Sequence, residues 1–368
     1  MLSRILNYSL IFINQCKFPI LLYNNIMTKL QNRLEYMDIA KGIGIIMIVW
    51  AHTHGIFSTF CITFAIPLFF FVSGYFHNKS INFLEFFKRK FFRLYLPFIM
   101  CNLIFPTIVI LKRLSLHLEI KNNIFYILQI FLTLKKDGFL FGATWFLASL
   151  FLISISIKFL EIILKSDKKY LIIFLITLII SIIAGTNFPS LDTGIRRTLM
   201  LPVFYALGLN YKEYFNSFNK IKLLPILSGL TALTIIYSNI NLGFLFSYDK
   251  SALHTLLLFV ICSSLFTFAI IKLSKYICNL KSIAKILSTT GFYSIHILIW
   301  HFVFFEIISG IILLLNGISL YNLQILPHVL ITKPIISLIY FFTGIIGSLT
   351  VGYCFEKIKN TINTSKKD

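Results

Sequence analysis

Acidic side chains are scarce in this 368-residue chain: 13 Asp and Glu stand against 34 Lys and Arg. All charged residues together make up 13%, against roughly 25% in ordinary soluble domains. Hydrophobic residues reach 58% and aromatics 16%. So little charge cannot cover the surface of a water-soluble domain, and so much apolar surface cannot be absorbed by one core. A soluble globular protein is excluded, and lipid is the solvent that fits. Cysteine is sparse as well. Cys16, Cys61, Cys101, Cys262, Cys278 and Cys354 are scattered, with no C-x-x-C or zinc spacing. They read as small apolar side chains, and no metal site is expected. Also missing is a polar basic domain. A net charge of +21 would point to nucleic acid in a soluble protein. Here the cations lie in short clusters between apolar runs, such as Lys88-Arg89-Lys90, Lys168-Lys169 and Lys357/Lys359. That is the pattern of loops facing an anionic membrane surface, so no nucleic-acid partner is expected.

What is abundant is long apolar runs. A helix needs about 20 mostly apolar residues to cross the hydrocarbon. Ten spans are expected, at about 39–57, 60–77, 94–111, 141–164, 170–187, 198–210, 221–240, 252–272, 289–314 and 333–354. The fold class is therefore all-α: a polytopic protein of the cell membrane. Basic residues concentrate in alternate loops, which places both termini in the cytoplasm. One segment disagrees: residues 112–140 carry Lys112, Arg113, Lys121, Lys135 and Lys136 and belong outside by this count. Their apolar run Ile124–Leu134 is too short to cross and reads as interfacial or re-entrant. Residues 1–30 read as a leader or a mis-assigned start, 31–356 as one membrane domain, and 357–368 as a basic cytoplasmic tail. Neither an internal repeat nor a low-complexity linker is evident.

The first span carries the densest chemistry: Asp38-Ile-Ala-Lys41-Gly, then His52. Asp38 and Lys41 are three apart and share a helix face. Lys41 and His52 are eleven apart, three turns plus about 20°, so His52 projects from the same face about 16 Å deeper. An acid, a cation and an imidazole in one stripe must face protein or water rather than lipid. As an isolated pair, Asp38 and Lys41 read equally well as interfacial charges that snorkel. His52 near mid-membrane is a functional candidate, since histidine exchanges protons near neutral pH and suits a general base. His301, a dozen residues into the ninth span, reaches a similar depth; His296 lies on another face, and Glu306 is five residues beyond His301. Arg93 marks an inner mouth. Trp145 reads as an interfacial anchor of the fourth span. Arg196 and Arg197 read as flanking charges of the sixth span, or as contacts for an anionic substrate.

These blocks resemble the acyltransferase 3 family, in the branch similar to fucose 4-O-acetylase-like proteins. Asp38, Lys41, Gly42 and His52 match the family's first helix, although arginine is commoner than lysine at the second position. Pro67 to Tyr75 matches its Pro-Leu-Phe-Phe-Phe-x-Ser-Gly-Tyr block. Arg93 to Pro97 matches an Arg-Leu-x-x-Pro helix entry, Trp145 to Leu147 a Trp-Phe-Leu, and Ser294 to His301 a looser late block. The likeness implies transfer of an acyl group, usually acetyl, from acyl-CoA as co-substrate to a carbohydrate hydroxyl. It implies His52, Asp38 and His301 as catalytic candidates, and Lys41 and Arg93 as contacts for the donor's phosphates. Trp145, Arg196 and Arg197 are candidates for the acceptor. The alternative reading is a transporter or flippase for a glycan or lipid-linked substrate, which ten helices and buried histidines also fit. Against it, no matching pair of broken helices occurs in two halves.

Overall fold

In the computed structural model the described residues are 34–53, 57–104, 131, 134, 142–187, 193–215, 229, 253–318 and 334–364. They are helical and contain no strand. In hydrocarbon a backbone must satisfy its own N–H and C=O groups, and a helix does so within one segment. In chain order the helices are α1 (Glu35–His52), α2 (Ser58–Tyr75), α3 (Phe83–Lys90) and α4 (96–104). There follow α5 (Trp145–Ile163), α6 (Lys169–Asn187), α7 (Thr193–Met200) and α8 (Pro202–Asn210). The last four are α9 (Leu253–Ile277), α10 (Lys281–Phe292), α11 (Ser294–Leu315) and α12 (Pro334–Thr364).

Among the described residues, five segments are long and apolar enough to cross a membrane: Gly142–Ile163, Lys169–Thr186, Leu256–Ile277, Ser294–Leu315 and Ile335–Thr361. They fall on five of the expected spans. The boundaries and continuity of several spans differ in instructive ways. The first expected span starts earlier and ends at His52, because its entry carries Glu35, Asp38 and Lys41. The sixth breaks in two at Leu201, where Pro202 opens α8 and has no N–H to continue the ladder. The ninth is split at Tyr293, so residues 289–292 belong to the amphipathic α10. The seventh apart from Gly229, residues 105–111 of the third, the run Ile124–Leu134 apart from Phe131 and Leu134, and the leader 1–30 lie outside the described residues. At the other end, α12 runs on through Thr364, so Lys357 and Lys359 of the expected tail are helical.

Apolar side chains face both ways. Leu152, Phe159, Ile163, Ile179, Ile261, Leu314, Phe342 and Ile346 are exposed, as a lipid-facing surface requires. Phe64, Phe70, Phe71, Phe86, Phe98, Phe204 and Phe259 are fully buried. Helices meet most closely where glycines remove the side chain. A methyl group added at Gly42 of α1 would lie 2.1 Å from the Leu287 carbonyl oxygen of α10, and one at Gly291 of α10 1.8 Å from the Asp38 carbonyl oxygen. α2 and α8 repeat the device: Gly74 would meet the Tyr205 oxygen at 1.9 Å and Gly208 the Phe71 oxygen at 2.0 Å. Small residues let backbones approach where lipid gives no hydrophobic drive between helices. Because each obstacle is backbone, it cannot rotate away. Gly291→Ala is expected to destabilise the protein by about 1–3 kcal/mol through overpacking. Thermal unfolding of the detergent-solubilised protein measures this; an unchanged midpoint would refute the close approach.

Candidate active site

The polar stripe of α1 is a physical feature of the fold. Lys41, Ile45 and Ile48 recur at the spacing of one helix face and line a cavity of about 1110 Å³. His52 is the next residue of that stripe, one turn beyond Ile48. Lys41 is ion-paired with Asp38 within the helix, and Asp38 is buried. The cavity is walled by α2, α3, α4, α5, α11 and α12. Its charged mouth carries Arg89, Lys90, Arg93, His296, Glu356 and Lys359. The aliphatic Leu147 also lines the cavity, as do Ile48, Leu298 and Ile299, which lie within about one helical turn of His52 or His301 in sequence. Asn82 caps α3 by accepting from the Glu85 N–H at 2.9 Å, and an ion pair joins Glu85 to Arg89. The basic last turn of α3 is thereby fixed beside the cavity.

Beyond the apolar end the two histidines meet. His301 Nε2 lies 3.2 Å from His52 Nδ1, and the rings stack at 5.1 Å between centroids. Phe302 covers His52 at 4.7 Å between ring centroids, and His301 is fully buried. The hydrogen bonds fix the tautomers. His301 Nδ1 is 2.8 Å from the Ile297 carbonyl oxygen, which can only accept, so Nδ1 carries the proton. A neutral His301 then accepts at Nε2, and the N–H that meets it belongs to His52 Nδ1. His52 therefore keeps its lone pair on Nε2, the form a general base needs. His301 orients this ring and sets its tautomer.

The other sequence candidates separate. Arg93 is exposed, in the π-helical turn Phe91–Tyr95, and lines the cavity with Lys41. Trp145, expected at an interface, is buried, as are Arg196 and Arg197, expected as flanking charges or as contacts for an anionic substrate. The Arg197 guanidinium lies over the Trp145 ring at 4.1 Å. Arg196 donates to the Gly185 carbonyl at 2.9 Å. These three residues sit around the start of α5, whose leading turn Gly142–Thr144 packs on α11. They are not among the residues lining the cavity, although Phe146 and Leu147 beside Trp145 are.

With this geometry in place, the family comparison decides the class. Residues 34–356 match the acyltransferase 3 model, whose description is an acyltransferase domain. The chain belongs to the acyltransferase 3 family. No curated protein and no solved structure matches it. This acyltransferase is accordingly a multi-pass membrane protein.

One cluster of the acyltransferase escaped the sequence reading. Glu161 of α5 accepts from Lys158 at 2.9 Å, from His77 Nε2 at 3.0 Å and from the Tyr170 hydroxyl at 2.8 Å. His77 Nδ1 lies 2.9 Å from the Tyr205 hydroxyl, and Lys158 donates to the Asn78 carbonyl at 3.3 Å. The cluster ties the segment after α2, which carries cavity residues Phe76 and Asn78, to α5, α6 and α8. Its signal was present: Lys158 and Glu161 are charges inside an apolar span. Glu161→Gln leaves Lys158 buried without its counter-charge, at a cost of about 3–5 kcal/mol. A lowered unfolding midpoint, partly restored by adding Lys158→Met, is the expected result; a neutral single variant would show that the pair does not hold this segment.

Proposed function

We propose that the protein is a membrane O-acyltransferase that moves an acyl group, acetyl first among candidates, from acyl-CoA to a carbohydrate hydroxyl. The observation that carries the reading is a cation-rich cavity running along the α1 stripe to within one turn of His52. Acyl-CoA is a polyanion at one end and a slender thioester at the other. Lys41, Lys90 and Arg93 suit its phosphates, and Lys41 to His52 spans about 16 Å along the helix. The apolar far end suits the uncharged arm. The carbohydrate acceptor follows the likeness to the fucose 4-O-acetylase-like branch, and a cell-surface polysaccharide or its lipid-linked precursor is the substrate class. Trp145, Arg196 and Arg197 are proposed to act on the acceptor side, through the start of α5.

In the reaction, His52 Nε2 takes the proton of the acceptor hydroxyl as its oxygen attacks the thioester carbonyl. The C–S bond breaks, and the leaving thiolate recovers that proton from the imidazolium. The products are an ester and free CoA. His301 holds the ring through Nδ1 and shares the positive charge that develops there. Asp38 positions Lys41.

His52→Ala is expected to lower transfer of labelled acetyl groups by about 10²–10⁴-fold while acetyl-CoA still binds. Retained turnover would exclude the base role, and glycan flipping without CoA binding would favour a flippase. A pH test is independent. Burial, with the nearby Arg93 charge second, pushes the Lys90 ammonium down to about 8. It is charged below that pH and neutral above it, so acetyl-CoA affinity should fall as pH rises through 8. Lys90→Arg stays charged and should flatten the profile. Calorimetric titration at successive pH values reads both; a flat wild-type profile would remove Lys90 from the phosphate contacts.

A further inference from the structure

The cavity mouth holds more than cations. Glu356 is the single acid among the described residues that line it, in a set that includes Lys41, Arg89, Lys90, Arg93 and Lys359. A carboxylate weakens a pocket built only for phosphate, so its place there calls for a ligand group that donates. Lys359, one turn along α12, lies 3.5 Å from one Glu356 oxygen. That leaves the carboxylate further lone pairs, since it has about four acceptor sites.

Beside it is a flat, pre-set aromatic surface. His296 stacks on Phe355 at 5.7 Å and 27°, and Trp300 stacks on the same Phe355 at 6.4 Å and 27°. α12 comes close here, since a methyl group at Gly352 would lie 3.0 Å from His296 Cβ. The ladder holds the His296 ring at the cavity wall. Across the mouth, Phe92 is 64% and Phe76 50% exposed, and both line the cavity. Aromatic faces among cations, with one acceptor, are the chemistry that receives a nucleobase: stacking for the ring, charge for its phosphates.

We propose that this mouth is an adenine subsite, where the base lies against the His296 ring and its exocyclic amine donates to the Glu356 carboxylate. The inference rests on the acyl-CoA reading above and states where the donor's nucleoside end is held. The phosphates then face Lys41, Lys90 and Arg93, and the arm runs inward along Ile45 and Ile48. His296 and Glu356 become specificity residues for the donor, remote from the reacting atoms.

The test titrates the full-length protein in detergent with CoA, with the CoA analogue carrying hypoxanthine in place of adenine, and with 4′-phosphopantetheine. Hypoxanthine offers an oxygen where adenine offers the amine. Wild type should prefer CoA to the analogue by roughly tenfold or more. Glu356→Gln, whose amide can donate to that oxygen, should narrow the preference to about twofold or less. His296→Ala should weaken both nucleotides while leaving phosphopantetheine binding unchanged, which also shows that the variant is folded. An equal preference in wild type and Glu356→Gln would overturn the subsite while the acyl-CoA reading stands. No binding of CoA by wild type would overturn both.

Discussion

The structure depends on one close approach: α1 lies backbone to backbone on α10 through Gly42 and Gly291. α1 carries an acid, a cation and an imidazole along its length, and none of them tolerates lipid. Removing two side chains from the contact lets α10 cover the α1 entry so tightly that Asp38 is buried while still paired to Lys41. With that side of α1 sealed by α10, the stripe from Lys41 to His52 is turned to the cavity and to α11. The site is thus a by-product of packing. Helix contact decides which face is dry, and the chemistry occupies what remains.

Charge is arranged in two different ways at the same end of the bundle. In the Glu161 cluster the carboxylate is matched by Lys158 and hydrogen-bonded by His77 and Tyr170. Such a cluster has lone pairs and protons already committed, and it rigidifies. Among the described residues that line the cavity, cations outnumber the one acid. The first arrangement holds the segment after α2 in place; the second, beside it, stands ready for an anion.

Much of this was legible from the residues. The all-helical class followed from apolar run length, and five expected spans coincide with helices able to cross a membrane. Asp38, Lys41 and His52 were read onto one face by spacing alone, and the cavity follows that face. Periodicity is a property of one helix, however, and contacts between helices are not written in it. The 3.2 Å meeting of His52 with His301 needed the fold, because 249 residues separate them. By residue type Trp145 reads as an interfacial anchor and Arg197 as a flanking charge or substrate contact; that the two cover one another in the interior is not written in either. The break at Leu201 was signalled by Pro202 but absorbed into one span, since an apolar average does not register a missing N–H. Lys158 and Glu161 were passed over for a similar reason: two charges barely lower the hydropathy of a long run.

Between Lys41 and His52 the α1 residues that line the cavity are aliphatic, Ile45 and Ile48, and Leu147, Leu298 and Ile299 line it from α5 and α11. Such side chains offer water no hydrogen bond. Water gains little on such a wall, whereas an uncharged chain loses nothing there. Activated thioesters are spent wastefully when a base and a water molecule meet beside them. On the acyl-CoA reading proposed above, these aliphatic side chains would disfavour water beside the base and so limit hydrolysis of the donor.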